Sequence, residues 1–225
     1  MAETAGRVLI ALPQPAVAEE LFELALRIAS RRRLRLHALI REASELAAAG
    51  ALPFIEEIDR CSGVRHPFDA AAAARAIARL AHECEHRLRE RAAALRVECG
   101  LEAVHGPLVG QALAALARED VLLLGSRAVA WARPGPRAPR RIGVVRDGIV
   151  DEDAARAIAA DLIDNGHASA SSQTVATLPP HVLAPEEESL SGVDILVVSR
   201  HRAVEHGAAL QRFLIAPQRL VVVLP

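Results

Sequence analysis

Residues 101–128, LEAVHGPLVGQALAALAREDVLLLGSRA, indicate the fold class of this chain. They predict a strand over 101–105, a turn at Gly106 and Pro107, a short helix, and a second strand at Val121–Gly125. The run VLLLG is apolar without alternation, which is typical of a strand that is covered on both faces. A strand, a helix and a strand in series favour a right-handed crossover within a parallel sheet.

The same alternation of apolar runs and helical patterns extends along the whole chain. Residues 16–30 place apolar side chains on one stripe at helical spacing and charged side chains on the other side, and residues 154–163 repeat that pattern. The other strand candidates are Arg7–Leu12, 34–40, Arg141–Val145, 173–178, 193–199 and Leu220–Leu224. We therefore predict an α/β fold with mainly parallel sheets.

Composition excludes several classes of protein. Of the 225 residues, 52% are hydrophobic and 24% are charged, which is enough to bury a core and excludes disorder as the main state. The 27 basic residues balance 28 acidic ones, so the chain lacks the basic surplus of a general nucleic-acid-binding protein. Aromatic residues make up only 2%, which argues against base stacking. We expect no nucleic-acid partner.

The sequence shows no feature of export or of membrane insertion. The first residues, MAETAGRVLIAL, contain neither a basic region nor a cleavage site, and no apolar run reaches the roughly 18–20 residues that span a bilayer. Cys61, Cys84 and Cys99 form no CxxC pair, so neither a disulfide framework nor a thiolate zinc site is indicated. We expect a cytoplasmic protein without a membrane partner.

A stretch rich in proline and arginine divides the chain. Residues 127–139 contain three prolines and a glycine, which keep them out of regular structure. The apolar run RIGVV comes after it and is followed by Asp-Gly and a new amphipathic pattern, so the plan of the first half restarts. We predict an imperfect internal duplication, with one half at 1–126, a linker at 127–139 and a shortened half at 140–225.

Both halves resemble the universal stress protein domain. In the first half, the Gly-Pro turn, the short helix and the apolar strand that ends in Gly-Ser-Arg carry the resemblance. In the second half, RRIGVVRDG, GVDILVVSRHR and RLVVVLP carry it. The resemblance covers nearly the whole chain. It implies two Rossmann-like halves with mainly parallel sheets, packed as an intramolecular pseudo-dimer, and a role in stress response or regulation.

The resemblance also implies where a nucleotide would bind. Family members that bind ATP place an Asp after the first strand and glycines after the fourth, where backbone N–H groups approach phosphate oxygens. Here Leu12 and Pro13 stand where the first half needs its Asp, and Ala128 replaces its second glycine. In the second half, Asp147 and Gly148 fit the position after the first strand, but Ser199 and Arg202 replace the two glycines. The candidate positions are Gly125, Ser126, Asp147, Gly148, Ser199 and Arg200. Neither half holds a complete phosphate cradle, so we expect no resident cofactor, with ATP or another adenine nucleotide as the alternative.

A zinc-protease motif is present by spacing alone. The run His82-Glu83-Cys84-Glu85-His86 satisfies HExxH, in which two histidines one helical turn apart bind zinc. The apolar stripe of the same helix consists of Ile77, Leu80, Cys84, Leu88 and Leu95. Both histidines therefore project to the opposite, arginine-rich side, whereas a catalytic zinc lies in a shielded cleft. We expect no metal site and no catalytic residue.

Two classes of function follow from these features. The leading interpretation is a non-enzymatic, universal-stress-like regulatory or stress-response protein that acts through protein contacts and whose ATP site is degraded. The alternative is an adenine-nucleotide-binding sensor or weak ATPase that uses the second half, through Asp147, Gly148, Ser199 and Arg200.

The closing strand candidate, Leu220–Leu224, bears on association. In the resembling family this strand tends to lie at the edge of the sheet, where free backbone groups recruit another chain. Because the first half offers no matching strand, we predict a homodimer through Leu220–Leu224, with cover by residues 127–140 as the alternative.

Overall fold

The computed structural model describes residues 6–12, 18–41, 52, 54–59, 61–125, 141–146, 153, 157–158, 174–179, 183, 190, 192–215 and 219–225. The strands are β1 (Arg7–Leu12), β2 (Arg35–Arg41), β3 (Glu56–Ile58), β4 (Arg65–Pro67), β5 (Cys99–Val104), β6 (Val121–Gly125), β7 (Arg141–Val145), β8 (Thr174–Leu178), β9 (Ile195–Ser199) and β10 (Leu220–Leu224). The helices are α1 (Ala18–Arg32), α2 (Ala70–Ala94), α3 (Leu108–Ala115), α4 (Arg200–Glu205) and α5 (Gly207–Phe213).

Eight of these strands form one continuous sheet, in the order β5-β2-β1-β6-β10-β9-β7-β8. Neighbouring strands run parallel except at one junction, where β6 and β10 are antiparallel. The remaining two, β3 and β4, form an antiparallel hairpin. The predicted α/β fold with mainly parallel strands is confirmed. The strands of the two predicted halves lie in the same sheet, four from each half.

The prediction of a homodimer through Leu220–Leu224 is wrong. Leu220 to Val223 pair with β6 on one side, and Leu220 to Leu224 pair with β9 on the other. The backbone groups on both sides of β10 are therefore used within the chain, so neither a second copy nor residues 127–140 are needed to cover them.

The core lies on both faces of the sheet and runs across the junction. On one face, α1 and α2 cover apolar side chains that include Ile10 and Leu123 from the first half and Val197 and Val222 from the second. On the other face, α3, α4 and α5 cover a second cluster that also draws on both halves. The linker predicted at 127–139 lies outside the described residues. The division into halves at 1–126 and 140–225 stays a prediction.

Helix α2 is longer than the strand on which it packs. Its 25 residues span about 37 Å, whereas the six residues of β5 span about 20 Å. Its buried side chains, Cys84, Leu88 and Ala92, belong to its carboxyl-terminal half. The predicted apolar stripe is therefore correct at Cys84 and Leu88 and wrong at Leu80 and Leu95, which are 45% and 41% exposed. No described helix is both long and apolar enough to cross a membrane.

Candidate functional site

The antiparallel junction separates the candidate nucleotide-binding residues into two places. Leu220 at the start of β10 pairs with Gly125, and Leu224 at the end of β10 pairs with Ser199. Gly125 and Ser199 therefore lie at opposite ends of the sheet, about 13 Å apart along β10 at the usual rise of a strand. Of the proposed residues that the structure describes, Gly125 and Ser199 thus do not lie at the same end of the sheet.

At the first place, an apolar side chain accounts for the glycine. A Cβ atom added to Gly125 would lie 3.3 Å from Cδ2 of Leu21, a buried residue of α1. Leu21 of α1, the helix that covers β6, thus packs against the space that a side chain at position 125 would take. Ser126, the neighbour proposed to act with Gly125, lies outside the described residues. Packing of α1 explains Gly125 without a ligand.

At the second place, a serine closes the start of α4. Ser199 ends β9, has extended backbone angles and is fully buried, and its Oγ accepts a hydrogen bond of 3.1 Å from the backbone N–H of Arg202. This is the geometry of a helix N-cap, in which a side-chain oxygen binds a backbone N–H of the first turn. The backbone N–H of Arg202 is therefore already bonded within the chain, whereas in a phosphate cradle such an N–H would donate to the ligand.

The carboxyl end of β7 lies next to Ser199. Strands β7 and β9 are parallel neighbours, with Val144 opposite Val197. Asp147 and Gly148 follow β7 in the sequence but lie outside the described residues. Arg200, the first residue of α4, is half-buried. The carboxyl ends of adjacent parallel strands form the usual ligand crevice of such sheets.

Arg202, which follows Ser199 on α4, forms an ion pair with a carboxylate of its own helix. Arg202 Nη1 lies 2.9 Å from Glu205 Oε2, and His206 Nε2 lies 3.5 Å from the same oxygen. Arg202 Nε is buried and has no hydrogen-bond partner among the described residues. Glu205 thus supplies a counter-charge to Arg202 within the same helix.

We expect Ser199→Ala to lower the free energy of unfolding by about 1 kcal/mol, because the variant loses the N-cap hydrogen bond of α4. Urea denaturation followed by circular dichroism measures the change. Ala208→Ser is a control, since Ala208 is exposed on α5 and the substitution should change stability by less than about 0.5 kcal/mol. Equal stability of Ser199→Ala and the wild type would contradict the cap.

The HExxH residues lie where the helical pattern places them. His82 and His86 are exposed, and His86 Nε2 lies 3.3 Å from Glu90 Oε1 in the next turn. Cys84 is buried in the core, and its burial raises the pKa of the thiol to about 11. Among the described residues, no group of three histidines, cysteines or carboxylates is placed to hold a metal ion.

The sequence analysis missed a buried carboxylate at the start of β6. Asp120 is 2% exposed, and its Oδ1 accepts the backbone N–H of Arg7 at 3.0 Å. Its Oδ2 accepts Arg7 Nε and the backbone N–H of Ala117, both at 2.8 Å. Asp120 therefore connects β1, β6 and the turn after α3. The available signal was the acidic pair Glu119-Asp120 directly before the apolar run VLLLG.

Comparisons with known proteins give similarity to solved structures alone. No protein-family model and no curated protein matches the chain. A functionally unknown protein from Pseudomonas aeruginosa PAO1 is 15% identical, with a TM-score of 0.40, over 98% of this chain and 93% of that one. A universal stress protein from Archaeoglobus fulgidus DSM 4304 is 9% identical, with a TM-score of 0.39, over 98% of this chain and 97% of that one.

Proposed function

We propose that this chain is a non-enzymatic regulatory or stress-response protein that acts through protein contacts and has lost the nucleotide site of the universal stress proteins it resembles. The observation that carries the proposal is the buried Ser199, whose hydroxyl caps the helix that should face a phosphate. In an ATP-binding member, that position is a glycine whose backbone is open to the ligand.

The first half supports the same conclusion independently. Leu12 ends β1 and Pro13 follows it, so the carboxylate that family members use there is missing from the sequence. Leu21 contacts the position that a Cβ of Gly125 would take. At Leu12 and Pro13, non-polar residues take the place of a carboxylate. At Gly125, apolar packing takes the place of a polar ligand.

Exposed apolar side chains support action through protein contacts. Phe54 is 89% exposed, and Ile58 and Val64 in and beside the β3–β4 hairpin are also exposed. Every residue of β3 and β4 is exposed as well. A hairpin that exposes apolar side chains in this way is more typical of a contact surface than of a free monomer surface.

A nucleotide-binding sensor or weak ATPase is the second candidate function, and one arrangement favours it. The carboxyl ends of β7 and β9 are adjacent, and the sequence after β7 is Arg146-Asp147-Gly148. The Asp-Gly pair thus follows in the sequence a strand whose carboxyl end adjoins that of β9, which supports this candidate. Such a site would use only residues of the second half.

Titration with nucleotides separates the two functions. We expect isothermal titration calorimetry with ATP, ADP and AMP, each with Mg²⁺, to show no binding in the micromolar range, because the cap at Ser199 and the missing glycines leave the phosphates too few backbone donors. Asp147→Ala is the matched variant and should behave like the wild type. A micromolar, Mg²⁺-dependent signal that Asp147→Ala abolishes would establish the sensor instead.

A further inference from the structure

The outer edge of β5 is open in the described part of the chain. Strand β5 ends the sheet, and none of its six residues is buried, whereas β1 and β6 are almost entirely buried. Edge strands of natural proteins commonly carry lysine, proline or a bulge that prevents pairing with other chains. In β5 the single charged residue is Glu102, which pairs with His37 on the neighbouring strand at 3.1 Å.

The hydrogen-bond pattern fixes which backbone groups face outward. The N–H of Leu36 on β2 donates to the carbonyl of Glu98, and β2 and β5 then pair in parallel from Leu36 and Cys99 onward. Groups of alternate residues point to the same side of a strand, so Gly100, Glu102 and Val104 face β2. The N–H and C=O groups of Cys99, Leu101 and Ala103 therefore face away from the sheet.

We propose that β5 pairs in antiparallel fashion with β5 of a second copy of this chain, with Leu101 opposite Leu101. This register places Cys99 opposite Ala103 of the second copy, and Ala103 opposite its Cys99. Residues in a hydrogen-bonded antiparallel pair exchange both bonds, so all outward N–H and C=O groups of both strands are satisfied. A shift of the register by two residues leaves some of these groups without a partner.

The side chains fit the same register. Cys99 and Leu101 pack on the face of the sheet that α2 covers, so apolar side chains meet there across the two-fold axis. On the other face, Glu102 of each copy lies opposite Gly100, so the two carboxylates are not opposite each other. Gly100 has no side chain that could clash with Glu102 of the other copy. A Cβ atom at this position would also lie only 3.2 Å from Nδ1 of His37 on β2.

The two-fold axis also brings helices together. Identical antiparallel strands are related by an axis perpendicular to the sheet, so α2 of each copy lies on the same face, next to the other. The exposed surface of α2 carries both signs of charge, including the pair Arg89–Glu85. A surface with both signs can complement its own copy. The helices add the area that a strand pair alone would lack in a stable dimer.

Light scattering coupled to size exclusion tests the proposal on the full chain. At tens of micromolar we expect twice the chain mass of 24.0 kDa. Ala103→Pro removes only an outward N–H and leaves the pairing with β2 intact, so we expect a folded monomer with a dissociation constant at least about tenfold larger. The matched control is Thr177→Pro on the opposite edge strand, where the N–H of Arg146 donates to Leu178 and Thr177 faces outward. That variant should remain dimeric.

Amide exchange provides a second readout that does not depend on a variant. In the wild type, the amides of Cys99, Leu101 and Ala103 should become protected as protein concentration rises, while those of Val175 and Thr177 should not. A wild type of one chain mass at tens of micromolar overturns the proposal, as does a dimer that persists in Ala103→Pro or dissociates in Thr177→Pro. If Ala103→Pro does not fold, concentration-independent exchange at Leu101 overturns it.

Discussion

Val222→Lys is expected to abolish the folded state. Val222 is fully buried in the middle of β10, between Leu123 of β6 and Val197 of β9. A lysine there buries an unpaired ammonium in the core that both halves share, which costs more than about 4 kcal/mol. A domain of this size is stable by only about 5–15 kcal/mol in total. Far-ultraviolet circular dichroism and urea denaturation should show a large loss of structure and of cooperative unfolding.

Val204→Lys is the matched control for that experiment. Val204 is the same residue type on α4, but 61% of it is exposed, so the substitution should change stability by less than about 0.5 kcal/mol. If β10 were an edge strand that a second chain covers, Val222→Lys would instead give a folded monomer. A soluble Val222→Lys protein with wild-type unfolding would show that β10 does not hold the two parts of the sheet together.

The strands themselves were largely predictable from the sequence. Arg7–Leu12, Val121–Gly125, Arg141–Val145 and Leu220–Leu224 have the predicted bounds, because an uninterrupted apolar run of this length is typical of a strand buried on both faces. The hairpin β3–β4 was not predicted, since its residues are exposed and show no alternation of apolar and polar side chains. A pattern of apolar and polar residues indicates a strand through its buried side chains, and no residue of β3 or β4 is buried.

The order of the strands could not be predicted in the same way. An apolar run such as LVVVL shows that β10 is buried, but it does not show which strands lie beside it. The place of β10 between β6 and β9 depends on pairing between segments that are far apart in the sequence. The resemblance to a family with β10 at the edge therefore gave the wrong neighbour.

The same junction explains why the candidate site was only partly predictable. The predicted strand at 193–199 ends at Ser199, as β9 does, and Arg200 begins the helix that follows it. The spacing of a motif does not show how its strand runs relative to the strands of the other half. Because β6 and β10 are antiparallel, Gly125 lies at the opposite end of the sheet from Ser199. The cap formed by Ser199 and the contact between Leu21 and Gly125 depend on tertiary packing, which local motifs do not encode.

Asp120→Ala is expected to lower the free energy of unfolding by about 3 kcal/mol. The carboxylate accepts the backbone N–H groups of Arg7 and Ala117 as well as Arg7 Nε, and it is almost fully buried. Alanine leaves both N–H groups without their acceptor and the guanidinium without its counter-charge, and the loss of one partner from a buried pair is strongly destabilising. Urea denaturation at neutral pH measures the change.

Two further variants show whether the carboxylate at this position is responsible. Glu119→Ala removes an exposed carboxylate from the neighbouring residue, so stability should change by less than about 0.5 kcal/mol. Asp120→Asn keeps an oxygen acceptor and removes the charge, so its loss should fall between those of Glu119→Ala and Asp120→Ala. If Asp120→Asn were as unstable as Asp120→Ala, the ion pair with Arg7 would account for the whole effect. If Asp120→Ala matched Glu119→Ala, the buried carboxylate would not join β1 to β6, and the amino end of the sheet would depend on apolar packing alone.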